Sequence, residues 1–126
     1  MRLLIGVQFV GFVGCGPSVD ATFSQVDTEV LGPSCAFSAC HGGANGQGGL
    51  VLDGTSEDYG RLVGVASTAL PDEMYVVPSD PDASYLVAKL RGDAGIEGDP
   101  MPQGSSLPEE DIALVIAWIE AGAAND

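Results

Sequence analysis

Basic residues are scarce in this chain. Four Lys and Arg stand against eighteen Asp and Glu in 126 residues, a formal net charge of −14. Phosphate binding needs clustered cations, so nucleic acid is excluded as a partner. An acidic surface keeps a protein soluble and steers it toward a basic patch on a partner. Histidine occurs once, at His41, so any chemistry that needs an imidazole falls on that residue. No hydrophobic run is long. The most apolar stretch, Leu3 to Val13, is interrupted by Gln8 and is too short to cross a bilayer. Cysteine is limited to Cys15, Cys35 and Cys40, an odd number that leaves one thiol outside any pair. Internal repeats are absent, and the length suits one domain.

Glycine and proline, by contrast, are plentiful, at eighteen and eight residues. They favour short helices and long loops over a large sheet. A core of that size is marginal alone.

Met1 to Val13 read as an export signal, with Arg2 as a minimal charged start and Leu3 to Val13 as the apolar segment. The run Phe12-Val13-Gly14-Cys15 is similar to a bacterial lipobox, with cleavage after Gly14 and lipid on Cys15. The expected organisation is a signal peptide over 1–14, a lipid-anchored tether over 15–22 and one domain over 23–126. Cys35 and Cys40 then remain as a pair, outside the cytoplasm, where disulfides are also allowed.

That pair lies in C-A-F-S-A-C-H, Cys35 to His41. Two thiols followed directly by a histidine form the attachment pattern of c-type haem. The thiols add across the porphyrin vinyl groups as thioethers, and the adjacent imidazole is held beneath the iron. The common spacing has two residues between the cysteines; this chain has four. A Cys35–Cys40 disulfide is the alternative use of the thiols. Structural zinc needs four ligands, and two Cys with one His fall short. A hydrolytic triad is excluded because His41 would have to serve both haem and catalysis.

Hydrophobic spacing places several helices. Thr22 to Leu31 are expected to be helical, opened by a Thr22–Gln25 capping box and ended by Gly32 and Pro33. Ser34 is a candidate N-cap for a second turn carrying Cys35 to His41. Gly42 to Gly49 form a loop compatible with passage along a haem edge; no G-K-[ST] follows, so it is not a phosphate loop. Ser56 to Val63 read as helix, and Ala66 to Pro78 as irregular chain. Asp80 as N-cap and Pro81 as first residue open another helix, which Gly92 ends. The last helix runs from about Pro108 to Ala121, with Glu109, Glu110 and Asp111 at the positive end of its dipole. Tyr59, Tyr85 and Trp118 are divided evenly between haem pocket and ordinary core. Lys89 and Arg91 fit a solvated helix end, with haem propionates as their alternative partners.

An electron-carrying haem needs a sixth ligand, and methionine sulfur is the usual one. Met101, in Pro100-Met101-Pro102, is the expected distal ligand because the flanking prolines stiffen the strut that carries it. Met74, which has no such brackets, is the competitor.

These residues together resemble the small class I-like cytochrome c domains of bacterial lipoproteins, in the variant with C-x4-C-H. The matching segments are Cys35 to Gly42, Asp80 to Leu86 with Lys89-Leu90, Gly98 to Pro102, and Trp118 to Ala123. The resemblance implies an all-α fold wrapped around one haem c. In it Cys35 and Cys40 are the thioether anchors, His41 the proximal ligand and Met101 the distal one. The functional expectation is an exported monohaem electron carrier, not an enzyme, lipid-anchored on the periplasmic side of a membrane and meeting redox proteins. The alternative is a haem-free, disulfide-bridged surface lipoprotein acting as a binding or structural module.

Overall fold

Thr22 opens the first helical segment as its sequence suggests. Its hydroxyl accepts from the Gln25 amide at 3.2 Å, and the Gln25 side chain accepts from the Thr22 amide at 3.1 Å. The structure is a computed structural model and describes residues 20–126; Cys15 and the expected signal lie outside the described residues. From the cap the chain forms α1 (Phe23–Gln25), a π-helical stretch (Val26–Leu31) and α2 (Gly32–Cys35) without a break.

Gly32 and Pro33 therefore do not end the helix, and Ser34 is not an N-cap but lies inside α2. Two physical reasons explain this. The wide π turn shifts the register, so that the Gly32 amide bonds the Asp27 carbonyl, five residues back. Pro33 then falls in the first turn of α2, where a missing N–H costs little. Gly32 serves close approach instead of termination: the backbone of Gly54 lies against it, and a Cβ on Gly54 would sit 3.1 Å from the Gly32 Cα.

The remaining elements are a 3-10 turn (Gln47–Gly49), α3 (Asp58–Leu62), α4 (Tyr85–Arg91) and α5 (Glu109–Glu120). The start of α4 departs from expectation. Asp80 does accept from the Ala83 amide at 3.1 Å, but this caps only a turn, and Ser84 precedes the helix. The Ser84 hydroxyl is buried and bonded to the Val77 amide and the Asp80 carbonyl, which ties the turn to the irregular segment before it. Gly92 ends α4 in the left-handed conformation, as expected. Among the described residues β pairing is limited to isolated bridges, Val63 with Val76 and Met74 with Ala66 and Ser84. No helix among them is long and apolar enough to cross a membrane.

The core gathers the apolar faces of the first helical segment, α4 and α5. Val26, Val30, Leu31, Val115, Trp118 and Ile119 are all buried. Each such side chain contributes about 1.5–3 kcal/mol on leaving water. Phe23, Tyr59 and Trp118 form one aromatic cluster, with ring centroids 5.3 to 6.3 Å apart. Their polar ends are satisfied by the C-terminal tail: Tyr59 donates to the Ala123 carbonyl at 2.8 Å and Trp118 to the Ala124 carbonyl at 2.9 Å.

A second anchor is electrostatic. Asp58 is fully buried and accepts from Arg61 at 2.6 Å and from the Asp53 and Gly54 amides. Burying a carboxylate is tolerable only with such partners. Arg61 also reaches Asp53 at 3.0 Å and Glu57 at 3.1 Å. Asp27 lacks this support, because its Oδ1 is buried without a partner. Burial first, then the charges of Asp58 and Asp53, push its carboxyl above the ordinary range.

A carboxyl raised in the folded state favours folding below its unfolded value, and that contribution is lost as pH rises through the folded value. At neutral pH Asp27 is thus a net cost. Asp27→Asn is expected to raise the melting temperature by a few degrees at pH 7. The gain should vanish below about pH 4, where Asp27 is protonated in both states. Melting curves at the two pH values check this, and an equal gain at both would contradict it.

Candidate functional site

Cys35, Cys40, His41 and Met101 line one cavity of about 680 Å³. Its apolar wall includes Leu50, Leu52, Leu86, Leu90 and Leu107, with Tyr75 and Tyr85 among the aromatic lining. Each arm of the site reaches the cavity by a different local device.

Cys35 is the last residue of α2, and Cys40 and His41 follow in a tight turn. The Phe37 carbonyl accepts from both the Cys40 and Gly42 amides at 2.9 Å, and the Cys35 carbonyl accepts from the His41 amide at 3.2 Å. This turn takes up the four residues between the cysteines, so both side chains border the same space. Glycine is required beside it. A side chain at Gly42 would overlap the Ala36 carbonyl oxygen, and one at Gly46 would overlap that of Leu50. These two glycines serve backbone packing, while Gln47 and Gly48 are the part of the loop that borders the cavity.

His41 is oriented by the loop that follows. Its Nδ1 lies 2.8 Å from the Leu50 carbonyl oxygen. A carbonyl can only accept, so Nδ1 donates, and in the neutral imidazole Nε2 then keeps its lone pair for a ligand. Metal-bound histidines commonly have their second nitrogen satisfied in this way. The Leu52 amide bonds the His41 carbonyl at 2.9 Å, which fixes the backbone at the same place.

The thiols differ. Cys40 is exposed, Cys35 is half-buried, and neither is in a disulfide. Burial, followed by Cys40 and Asp58, pushes the Cys35 thiol up to about 11. It stays protonated at neutral pH and is a poor thiolate nucleophile. Among the described residues no group of three or more His, Cys, Asp and Glu is gathered as a metal site.

Met101 enters from the loop after α4. Its amide donates to the Lys89 carbonyl at 2.9 Å. Met74 is outside the cavity lining and is 45% exposed. Only one of the two methionines named in the sequence therefore faces the His41 cavity.

The aromatic residues divide. Tyr85 lines the cavity, whereas Trp118 and Tyr59 belong to the aromatic cluster and are absent from the lining. Tyr75 was missed in the sequence. It lies in irregular chain, where no periodicity marks an inward position. Its hydroxyl accepts from the Thr68 amide at 3.1 Å, closing that segment. The Lys89 ammonium donates to the Glu97 and Asp99 carbonyls at 2.6 Å each, at the cavity border. Arg91 pairs with exposed Asp82 at 3.3 Å.

The donor set fits a c-type haem. Two thiols border the cavity, one imidazole nitrogen is free, a thioether is present and the wall is apolar. No family model matches the chain, and no similar curated protein or solved structure was found.

Proposed function

We propose that the protein is a monohaem c-type cytochrome that carries electrons and is not an enzyme. Cys35 and Cys40 would hold the haem as thioethers, with His41 as proximal ligand and Met101 as distal ligand. The observation that carries this reading is the shared cavity: the Cys-Cys-His segment and Met101, distant in sequence, line one apolar space. The free Nε2 of His41 supports it further. The haem supplies one-electron chemistry; the protein supplies ligands, a low-dielectric wall and access for redox partners.

The test is retention of colour. Protein made with a cytochrome c maturation system is expected to keep its haem through denaturation and acid-acetone extraction. Colourless protein with a Cys35–Cys40 disulfide in its mass spectrum would overturn the proposal in favour of a haem-free lipoprotein.

The same reading includes export and lipid anchoring at Cys15, on the periplasmic side of a bacterial membrane. A diacylglycerol with a further N-acyl chain exceeds the two signals that stable attachment needs. The protein should enter the detergent phase, and Cys15→Ser should release it or leave it unprocessed. An unmodified mature N-terminus at another residue would refute the anchor.

A further inference from the structure

From the contacts between α4 and the loop carrying Met101, we infer that Lys89 and Tyr85 are positioning residues for the distal ligand. The inference rests on the proposed function, since a distal ligand exists only if haem is bound. It goes beyond naming the ligand, because it assigns what holds the sulfur in place.

Residues 92–101 contain no helix or strand, so nothing in their own secondary structure fixes Met101. Five contacts to α4 and its C-cap do. Lys89 grips the loop twice from its side chain, at the Glu97 and Asp99 carbonyls, and once from its backbone, at the Met101 amide. Tyr85, one helical turn earlier on the same face, accepts from the Glu97 amide at 3.0 Å. Pro100 packs against the Gly92 cap, where an added Cβ would sit 3.0 Å from its Cγ. Among the described residues Lys89 is the one Lys or Arg that borders the cavity. Two of its three ammonium protons are committed to these carbonyls, and hydrogen bonds from a charged donor are the stronger kind. The result is a latch: the face that closes one side of the cavity also carries the clamp on the loop holding the sulfur.

An added ligand must compete with Met101 for iron, so loosening the latch should favour the competitor. In the haem-loaded ferric protein, Tyr85→Phe is expected to raise imidazole affinity by roughly tenfold, the factor that follows from losing one hydrogen bond, and Lys89→Met, which removes two, by at least as much. Lys89→Arg, which keeps the donors and the charge, should restore most of the wild-type resistance. Tyr85→Phe removes the phenolic oxygen that accepts from Glu97 without changing charge, so it separates clamping from an electrostatic effect on iron. Hydrogen exchange of the Glu97 and Met101 amides, measured on the haem-loaded protein, provides an independent readout; both variants should speed it.

If haem-loaded Lys89→Met and Tyr85→Phe bind imidazole as weakly as wild type, the latch is overturned while the haem assignment stands. Unchanged amide exchange in both variants overturns it as well. Wild-type protein that takes up no covalent haem overturns the proposed function, and the positioning role falls with it.

Discussion

Replacing Cys35 and Cys40 together with serine is expected to abolish covalent haem. The double variant should emerge colourless from acid-acetone extraction, whereas wild type stays red. The chemistry is an addition: a thiol S–H crosses a vinyl C=C, sulfur bonding the carbon next to the ring and hydrogen the outer carbon. No oxidant is consumed. Serine hydroxyls do not replace the thiol in this step. The single variants are more informative. Each should retain one thioether and leave one vinyl group conjugated with the ring, which moves the reduced absorption band to longer wavelength. Cys35 sits at the end of a helix with a protonated, half-buried thiol, and Cys40 sits in an exposed turn. Cys40→Ser should therefore keep the better-ordered attachment point. A double variant that still holds its haem through extraction would show that the cysteines are not the link. The colourless protein would also lack the apolar contacts that a haem makes with the cavity wall, so its melting temperature should drop.

Local signals carried much of the fold. The Thr22 capping box, the Gly92 stop and the acidic first turn of α5 are short-range features, and each lies where its sequence indicates. The misread positions have longer-range causes. Gly32 resembles a helix stop, yet it is small because Gly54 packs on it. Asp80 and Pro81 resemble a helix start, yet Ser84 is bound back to Val77 and delays α4. For the site, the residue types were legible at 35, 40, 41 and 101, but not their convergence. The turn at Phe37 that absorbs the long cysteine spacing is a backbone arrangement with no side-chain signature. Lys89 illustrates the same limit: a lysine in the last turn of a helix suggests solvation, and only the folded loop supplies the carbonyls it holds.

Met101→Ala should produce the largest change in the haem itself. With the thioether gone, the sixth position opens to water or to an added ligand. The oxidised protein is expected to lose its weak sulfur-to-iron charge-transfer band at the red end of the spectrum. Thioether sulfur favours ferrous iron, so the potential should fall, by on the order of 0.1–0.3 V within the roughly 0.8 V that axial ligands span. Met74→Ala is the control. Met74 is exposed and absent from the cavity lining, while Met101 borders it and is tied to Lys89 through its amide. The control should keep both the band and the potential. The opposite pattern, in which only Met74→Ala abolishes the band, would reverse the ligand assignment. If neither substitution changes the spectrum, iron is five-coordinate or takes another ligand. An open sixth position suits binding of small ligands better than rapid electron transfer, so that outcome would also move the proposed function from carrier to ligand-binding haem protein.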